Sequence, residues 1–349
     1  MNKNASPSSL QRRRPLVSAA EWFEGGHRLW YDPDSAQVLT GRAAAKPPTA
    51  LRVFERIAGS AQRADRDTVW LTMLPGFPDG SYGWAQVDSL LGDELGPRLY
   101  VEPIGQGDSD KPRNFRYGSM ERADLVAALW AHHGVHRTVV VTFDYTSLAL
   151  LELLRRQADR SGASSGTVVE AAFMINGGLF ADAHSHPVMG TPLLRSPLGA
   201  LGMRQWQRSS RAFAGSIRRA RMYARGYRPT PEELAEMWAA ITRRDGAAFA
   251  HNAAGFLAEH HRYADRWDLA GIARDLRGTV ALYVGGSDED AYEHRQIPAA
   301  RRRAPQVEVV TFPGGHLTTS EHPDLLAAQI RRVATRHGVG DVRSGRDAS

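Results

Sequence analysis

The sequence predicts an α/β fold: a mostly parallel sheet flanked by helices, with an inserted helical cap. Three observations predict it. Short apolar, β-branched runs recur near 51–57, 68–74, 98–102, 138–143 and 168–175, and resume at Thr279. Stretches with helical apolar spacing, such as Met120 to His133 and Ser147 to Arg156, lie between them. That alternation gives parallel strands joined by crossover helices on both faces of the sheet. From about Phe180 to Leu269 the strand signal vanishes, and helical stretches such as Gln205 to Arg225 and Pro231 to Ile241 replace it.

The elements follow in order. Residues 1–18 are polar and read as a disordered tail. Trp22-Phe23 and Leu29-Trp30-Tyr31 suggest short leading strands, broken by Gly25-Gly26 and Asp32-Pro33. Ala43 to Pro48 reads as a connector. The core is expected over 19–179 and 270–335, the cap over 180–269, and a polar tail over 336–349. Within the cap, Thr230 is placed to N-cap a helix that starts at Pro231, and Glu232-Glu233 favours its dipole.

Composition narrows the function. The chain of 349 residues can bury a large core in one or two domains. Its formal charge is +6, and Lys3, Lys46 and Lys111 are its lysines, so the excess is arginine. Arg204, Arg208, Arg211, Arg218, Arg219, Arg221 and Arg225 share one helical region and read as a solvated face. No helix-turn-helix, RNP or zinc pattern accompanies them, so no nucleic-acid partner is expected. No window approaches the ~18 apolar residues of a membrane span, so no stable membrane insertion is expected. The segment Met1 to Pro15 has no apolar secretory region, which makes the cytoplasm the expected location. The absence of cysteine excludes disulfides, a thiol nucleophile and thiolate metal sites.

The chemistry centres on Val139 to Leu151: an apolar strand, one tight turn, and a helical pattern, with Asp144 at the apex. This is the layout of a nucleophile elbow, which lifts one side chain above the carboxyl end of a sheet. A carboxylate there suits attack on saturated carbon, giving an ester that water must cleave. Two later strands end in matching chemistry. Val280 to Val284 runs into Gly285-Gly286-Ser287-Asp288, and Val307 to Phe312 runs into Pro313-Gly314-Gly315-His316. The acid of this constellation is assigned to Asp288, by its distance from the strand, over Glu289 and Asp290. Upstream, Thr68 to Pro78 is a strand and turn whose Phe77 N–H, with the Tyr145 N–H after the elbow, can form an oxyanion hole. Gly105-Gln106-Gly107 lacks the Lys-Ser/Thr ending of a phosphate loop.

Gly76-Phe77-Pro78, Ser81-Tyr82-Gly83-Trp84, Gly105 to Pro112, the Asp144 elbow and Gly315-His316 together resemble the α/β-hydrolase superfamily. Asp144-Tyr145 is similar to its epoxide hydrolase and haloalkane dehalogenase group. Asn176 to Phe180, Arg228-Pro229, Glu236 to Ile241 and Asp245-Gly246 look most like the mesoderm-specific transcript branch. The resemblance implies a small apolar substrate, no metal or organic cofactor, an Asp144 ester cleaved by His316-activated water, and a cap tyrosine, Tyr223 or Tyr227, holding the leaving oxygen. Trp84 and Asn176 are further candidates to line the pocket. The chain departs from the family at Thr142 and Thr146, where the elbow normally has small residues, at Pro75 in place of histidine, and at Phe143. Two alternatives remain open at this stage: haloalkane dehalogenation, and a hydrolase fold with lost or altered catalysis.

Overall fold

The computed structural model describes residues 15–40, 47–60, 64–160, 166–184, 209–249 and 256–340. Among them one sheet holds β1 (His27–Asp32), β2 (Gln37–Leu39), β3 (Leu51–Ala58), β4 (Val69–Leu74), β5 (Arg98–Val101), β6 (Arg137–Phe143), β7 (Val168–Ile175), β8 (Ala281–Ser287) and β9 (Glu308–Phe312). Their order is β2-β1-β3-β5-β4-β6-β7-β8-β9. The pairs from β5 to β9 are parallel, while β1, β2 and β3 pair antiparallel at one edge. Helices cover both faces, so β4 is buried along its length and β6 from Thr138 onward. Strands covered on both sides read as continuous apolar runs, which is why the sequence revealed them.

The chain order reverses at β4, which lies between β5 and β6. Open α/β sheets bind ligands in the crevice beyond such a switch point. Register brings the strand ends level there: Leu74 pairs with Thr142, Phe143 with Ile175, and Ile175 with Gly285. The residues that follow these strands therefore emerge together.

Four helices matter for the site: α1 (Ala19–Glu24), α2 (Ala85–Leu91), α3 (Ser119–His132) and α4 (Thr146–Asp159). The first corrects an expectation, because Trp22 and Phe23 lie in a helix and not in a strand. Ser18 and Glu21 form a reciprocal capping box that nucleates it. Ordered structure also reaches into both expected tails. Val17 O accepts from Tyr82 Oη at 2.9 Å, and Gly96 N donates to Gly340 O at 2.8 Å. Residues 1–14 and 341–349 lie outside the described residues.

Between β7 and β8 the described residues hold the helices Ser210–Arg219, Pro231–Ile241 and Phe256–Arg262 and no strand. Thr230 N-caps the second of these as expected, and Glu233 completes a capping box with it. Phe213 and Ile217 are buried, with Phe213 packed on Trp238 at 5.4 Å, while Arg211, Arg218, Arg219, Arg221 and Arg225 are exposed. Arg204 and Arg208 lie outside the described residues. The segment touches loops at the carboxyl edge of the sheet: Leu317 N donates to Met222 O, Arg243 pairs with Asp108, and Ser119 N donates to Glu259. Among the described residues no helix is long and apolar enough to cross a membrane.

Candidate active site

Asp144 follows β6 directly and has φ 58°, a left-handed conformation that strains a residue with a β-carbon. The turn is pinned from both sides, by Asp144 N donating to Ile175 O at 3.0 Å and Ser147 N to Asp144 O at 3.1 Å. Thr142 and Thr146 fit because their hydroxyls are engaged locally: Thr142 Oγ1 meets Ser147 Oγ at 2.9 Å, and Thr146 Oγ1 donates to Phe143 O at 3.0 Å. The small residues at this turn stand on the facing loops instead. A β-carbon on Gly76 would lie 2.5 Å from the Phe143 ring, and one on Gly177 would lie 2.2 Å from Ser147 Oγ.

His316 extends from the loop after β9 and is buried. Its Nε2 is 3.6 Å from Asp144 Oδ1, and its Nδ1 is 2.9 Å from Asp290 Oδ2. The acid beside the histidine is thus Asp290, not Asp288. Asp288 is only one residue past β8, and its Oδ1 accepts from Gly314 N at 3.0 Å, bracing the histidine loop from outside. Two residues more are needed for the chain to turn back beneath the imidazole. Burial opposes ionisation of Asp290, but the charge of His316 and its hydrogen bond outweigh it and hold the carboxyl below its usual range. Burial likewise disfavours the His316 imidazolium, yet Asp290 and then Asp144 raise its pKa well above the ordinary value.

Phe77 N donates to Asp144 Oδ2 at 3.0 Å, so one expected oxyanion donor already faces the carboxylate. Gln106 Nε2 steadies that loop through Gly76 O at 3.2 Å. Beneath it, the wholly buried Glu102 accepts from Ser81 N at 3.1 Å and Ser81 Oγ at 2.6 Å. Gly80 and Gly107, both at positive φ, wrap this carboxylate so closely that a β-carbon on either would clash with it. In Gly105-Gln106-Gly107, therefore, Gly107 packs on a carboxylate while Gly105 packs on the Tyr117 ring. Tyr145 is the N-cap residue of α4.

The remaining candidates divide. Trp84 is 1% exposed and packs edge-on against Phe143 at 6.2 Å, so it supports the elbow from the core. Asn176 is also turned inward: it donates to Ser287 Oγ at 3.0 Å and His316 O at 2.7 Å and accepts from Ser287 N at 2.9 Å, tying β7 and β8 to the histidine loop. Tyr223 and Tyr227 stack at 5.0 Å. Tyr227 Oη donates to Glu233 at 3.0 Å, whereas Tyr223 Oη meets Met237 Sδ at 3.3 Å. A β-carbon on Gly315 would touch the Tyr223 backbone, which places Tyr223 against the residue preceding His316.

Sequence reasoning missed Asp79. It is 8% exposed, and burial, reinforced by Asp144 and opposed by His316, pushes its carboxyl up to about 7. Its only sequence signal was its place just after Gly76-Phe77-Pro78. Among the described residues no group of three His, Asp or Glu side chains is placed to hold a metal ion.

Residues 73–329 match the profile of the alpha/beta hydrolase family. LipZ of Mycobacterium tuberculosis, named as a hydrolase, is 28% identical over 316 residues, covering 89% of this chain and 96% of that protein. The mesoderm-specific transcript protein of Mus musculus is 28% identical over 200 residues, 56% of this chain and 58% of that protein. The structure of the epoxide hydrolase CorEH superposes with a TM-score of 0.61 at 18% identity, covering 82% of this chain and 95% of that one. At that identity the likeness is one of fold.

Proposed function

The chain belongs to the alpha/beta hydrolase family, and on that premise we propose that it is a hydrolase of the epoxide hydrolase type with Asp144 as nucleophile. The observation that carries the reading is the pose of one carboxylate. Asp144 sits at the strained apex with Oδ2 on the Phe77 N–H at 3.0 Å and Oδ1 3.6 Å from His316 Nε2. An Asp oxygen attacks a saturated carbon, a C–O bond of the epoxide breaks, and the alkoxide takes a proton from a cap donor. Tyr223 suits that role better than Tyr227, because a thioether is a weak acceptor that a hydroxyl can exchange, whereas Tyr227 donates to a carboxylate. His316, oriented by Asp290, then takes a proton from water, which adds to the ester carbonyl; the intermediate collapses by breaking the bond from the carbonyl carbon to the alkyl oxygen, that oxygen takes the proton from His316, and the Asp144 carboxyl returns its proton to the cap donor. The Phe77 and Tyr145 N–H groups stabilise the resulting oxyanion, a single donor of this kind contributing ~10²–10³ in rate.

Two observations weigh against the alternatives. A halide needs convergent indole donors, but the Trp267 indole is already committed to Glu152 at 2.9 Å. The elbow threonines, which motivate a fold without chemistry, are accommodated by hydrogen bonds that leave the apex in its strained form.

Mass spectrometry of the intact protein with styrene oxide tests the reading. His316→Ala should accumulate one adduct at Asp144, because only the second half-reaction is blocked. Asp144→Asn should form none. Turnover by the parent that survives Asp144→Asn undiminished would remove Asp144 from the mechanism.

A further inference from the structure

Beside the Asp290–His316 pair lies a second buried carboxylate–histidine pair that the mechanism above does not use. Glu293 Oε1 is hydrogen-bonded to His184 Nδ1, and His184 Nε2 lies 3.1 Å from Tyr145 Oη. Tyr145 is the residue immediately after the nucleophile. The two side chains of the pair are 2% and 7% exposed, and Tyr145 is 4% exposed. Leu179, Phe180 and Ala183 belong to the same apolar cluster as Tyr145.

We propose that Glu293 and His184 are positioning residues for Tyr145, a second dyad that fixes the phenol beside the nucleophile as Asp290 fixes His316. The inference deepens the Asp144 reading and rests on it. Burial of Glu293 works against its ionised form, and the His184 hydrogen bond is the main opposing influence. Stability alone gives little reason for such a pair, since apolar side chains of similar volume usually do as well or better in a core. Orientation gives a reason. The Glu293 hydrogen bond at Nδ1 fixes which ring nitrogen carries the proton, and with it the sense of the hydrogen bond between Nε2 and the Tyr145 hydroxyl. The phenol is then held at its far end as well as by its backbone.

The two dyads are also mechanically joined. Both carboxylates come from one turn, and Glu293 N donates to Asp290 Oδ1 at 3.2 Å. The strand following segment that carries His184 is clamped to the same turn, with Phe180 N and O both bonded to the Gln296 amide at 2.9 and 3.1 Å. A shift of the Glu293 turn would displace Tyr145 and His316 together.

The test uses the full chain and has two arms. In proton NMR, hydrogen-bonded imidazole N–H groups resonate far downfield, and the His184 signal is identified by its loss in His184→Phe. Glu293→Gln should abolish or move that signal upfield while the signal lost in His316→Ala persists. Tyr145→Phe should shift the His184 signal. In the second arm, the rate of Asp144 alkylation by styrene oxide is followed by mass in a His316→Ala background. Glu293→Gln and Tyr145→Phe should each slow it about tenfold, and Glu293→Gln should slow it no further once Tyr145 is Phe. Losses that multiply would show that Glu293 acts by general support of the fold, and would overturn the proposal. So would a His184 signal indifferent to both Glu293→Gln and Tyr145→Phe. If His316→Ala takes no adduct at all, the nucleophile reading fails, while the first arm still decides whether the dyad holds the phenol.

Discussion

At the scale of the residue, the histidine's partner carries the sharpest expectation. Asp290→Asn should lower turnover by ~10²–10⁴-fold, because it removes the group that sets the His316 tautomer and stabilises its imidazolium. Asp288→Asn should leave turnover within about threefold while costing about 1 kcal/mol in stability, since its carboxylate braces only the Gly314 N–H. Urea denaturation and steady-state rates on both variants separate the two, and equal losses of rate would sink the assignment. The pH profile gives a second check. His316 serves as a base when neutral; Asp290 and Asp144 raise its pKa in the free enzyme, and the Asp144 share is lost once Asp144 is esterified, which leaves Asp290 to set the rising limb of ester cleavage. Asp290→Asn should move that limb toward lower pH. Asp79 makes the opposite kind of statement. Its carboxyl is pushed up to about 7 by burial, so the folded chain holds a proton that the unfolded chain releases in the usual carboxylate range. Its contribution to stability is complete below that range and is lost as pH rises through about 7. Relative to Asp79→Asn, the parent should therefore lose about 1–3 kcal/mol between pH 5 and pH 8. Parallel stability curves for the two proteins would refute this.

At the scale of the element, the elbow shows how a departure from family pattern is absorbed. The hydroxyls of Thr142 and Thr146 are engaged within the turn, and Gly76 and Gly177 on the neighbouring loops leave room for Phe143 and Ser147. Gly177→Ala should thus cost about 1–3 kcal/mol and slow adduct formation, since its β-carbon would press on the first turn of α4. A variant as stable and as reactive as the parent would show that the loop gives way freely. β4, β6 and β7 were legible from apolar, β-branched runs, and α3 and α4 from apolar residues at helical spacing. The segment around Trp22 was misread as strand because two adjacent aromatics dominate it. The Ser18–Glu21 capping box, also present in the sequence, was the better signal.

At the scale of the whole molecule, the helical segment between β7 and β8 presents two faces. Phe213 and Ile217 turn inward, and Arg211, Arg218, Arg219, Arg221 and Arg225 turn to solvent. If that outer face is only solvated, binding to anionic vesicles should be weak and vanish by about 0.15 M salt, where charges are screened beyond ~8 Å. Retention on vesicles above that concentration would point to a charged partner instead.

The sequence by itself determined the sheet, the helical insertion, and the two residues that face each other across the site, Asp144 and His316. Asp144 follows directly on the end of β6 and His316 lies in the short loop after β9, and strand ends are level in a parallel sheet. It could not choose between Asp288 and Asp290, because both lie in one loop and spacing along the chain does not say which carboxylate turns beneath the imidazole. Nor could it show that Trp84 and Asn176 face inward, that Asp79 is buried beside the nucleophile, or that Glu293 and His184 reach Tyr145 from separate segments. Those are contacts between side chains far apart in sequence, and only the packing of loops around the carboxyl edge of the sheet decides them.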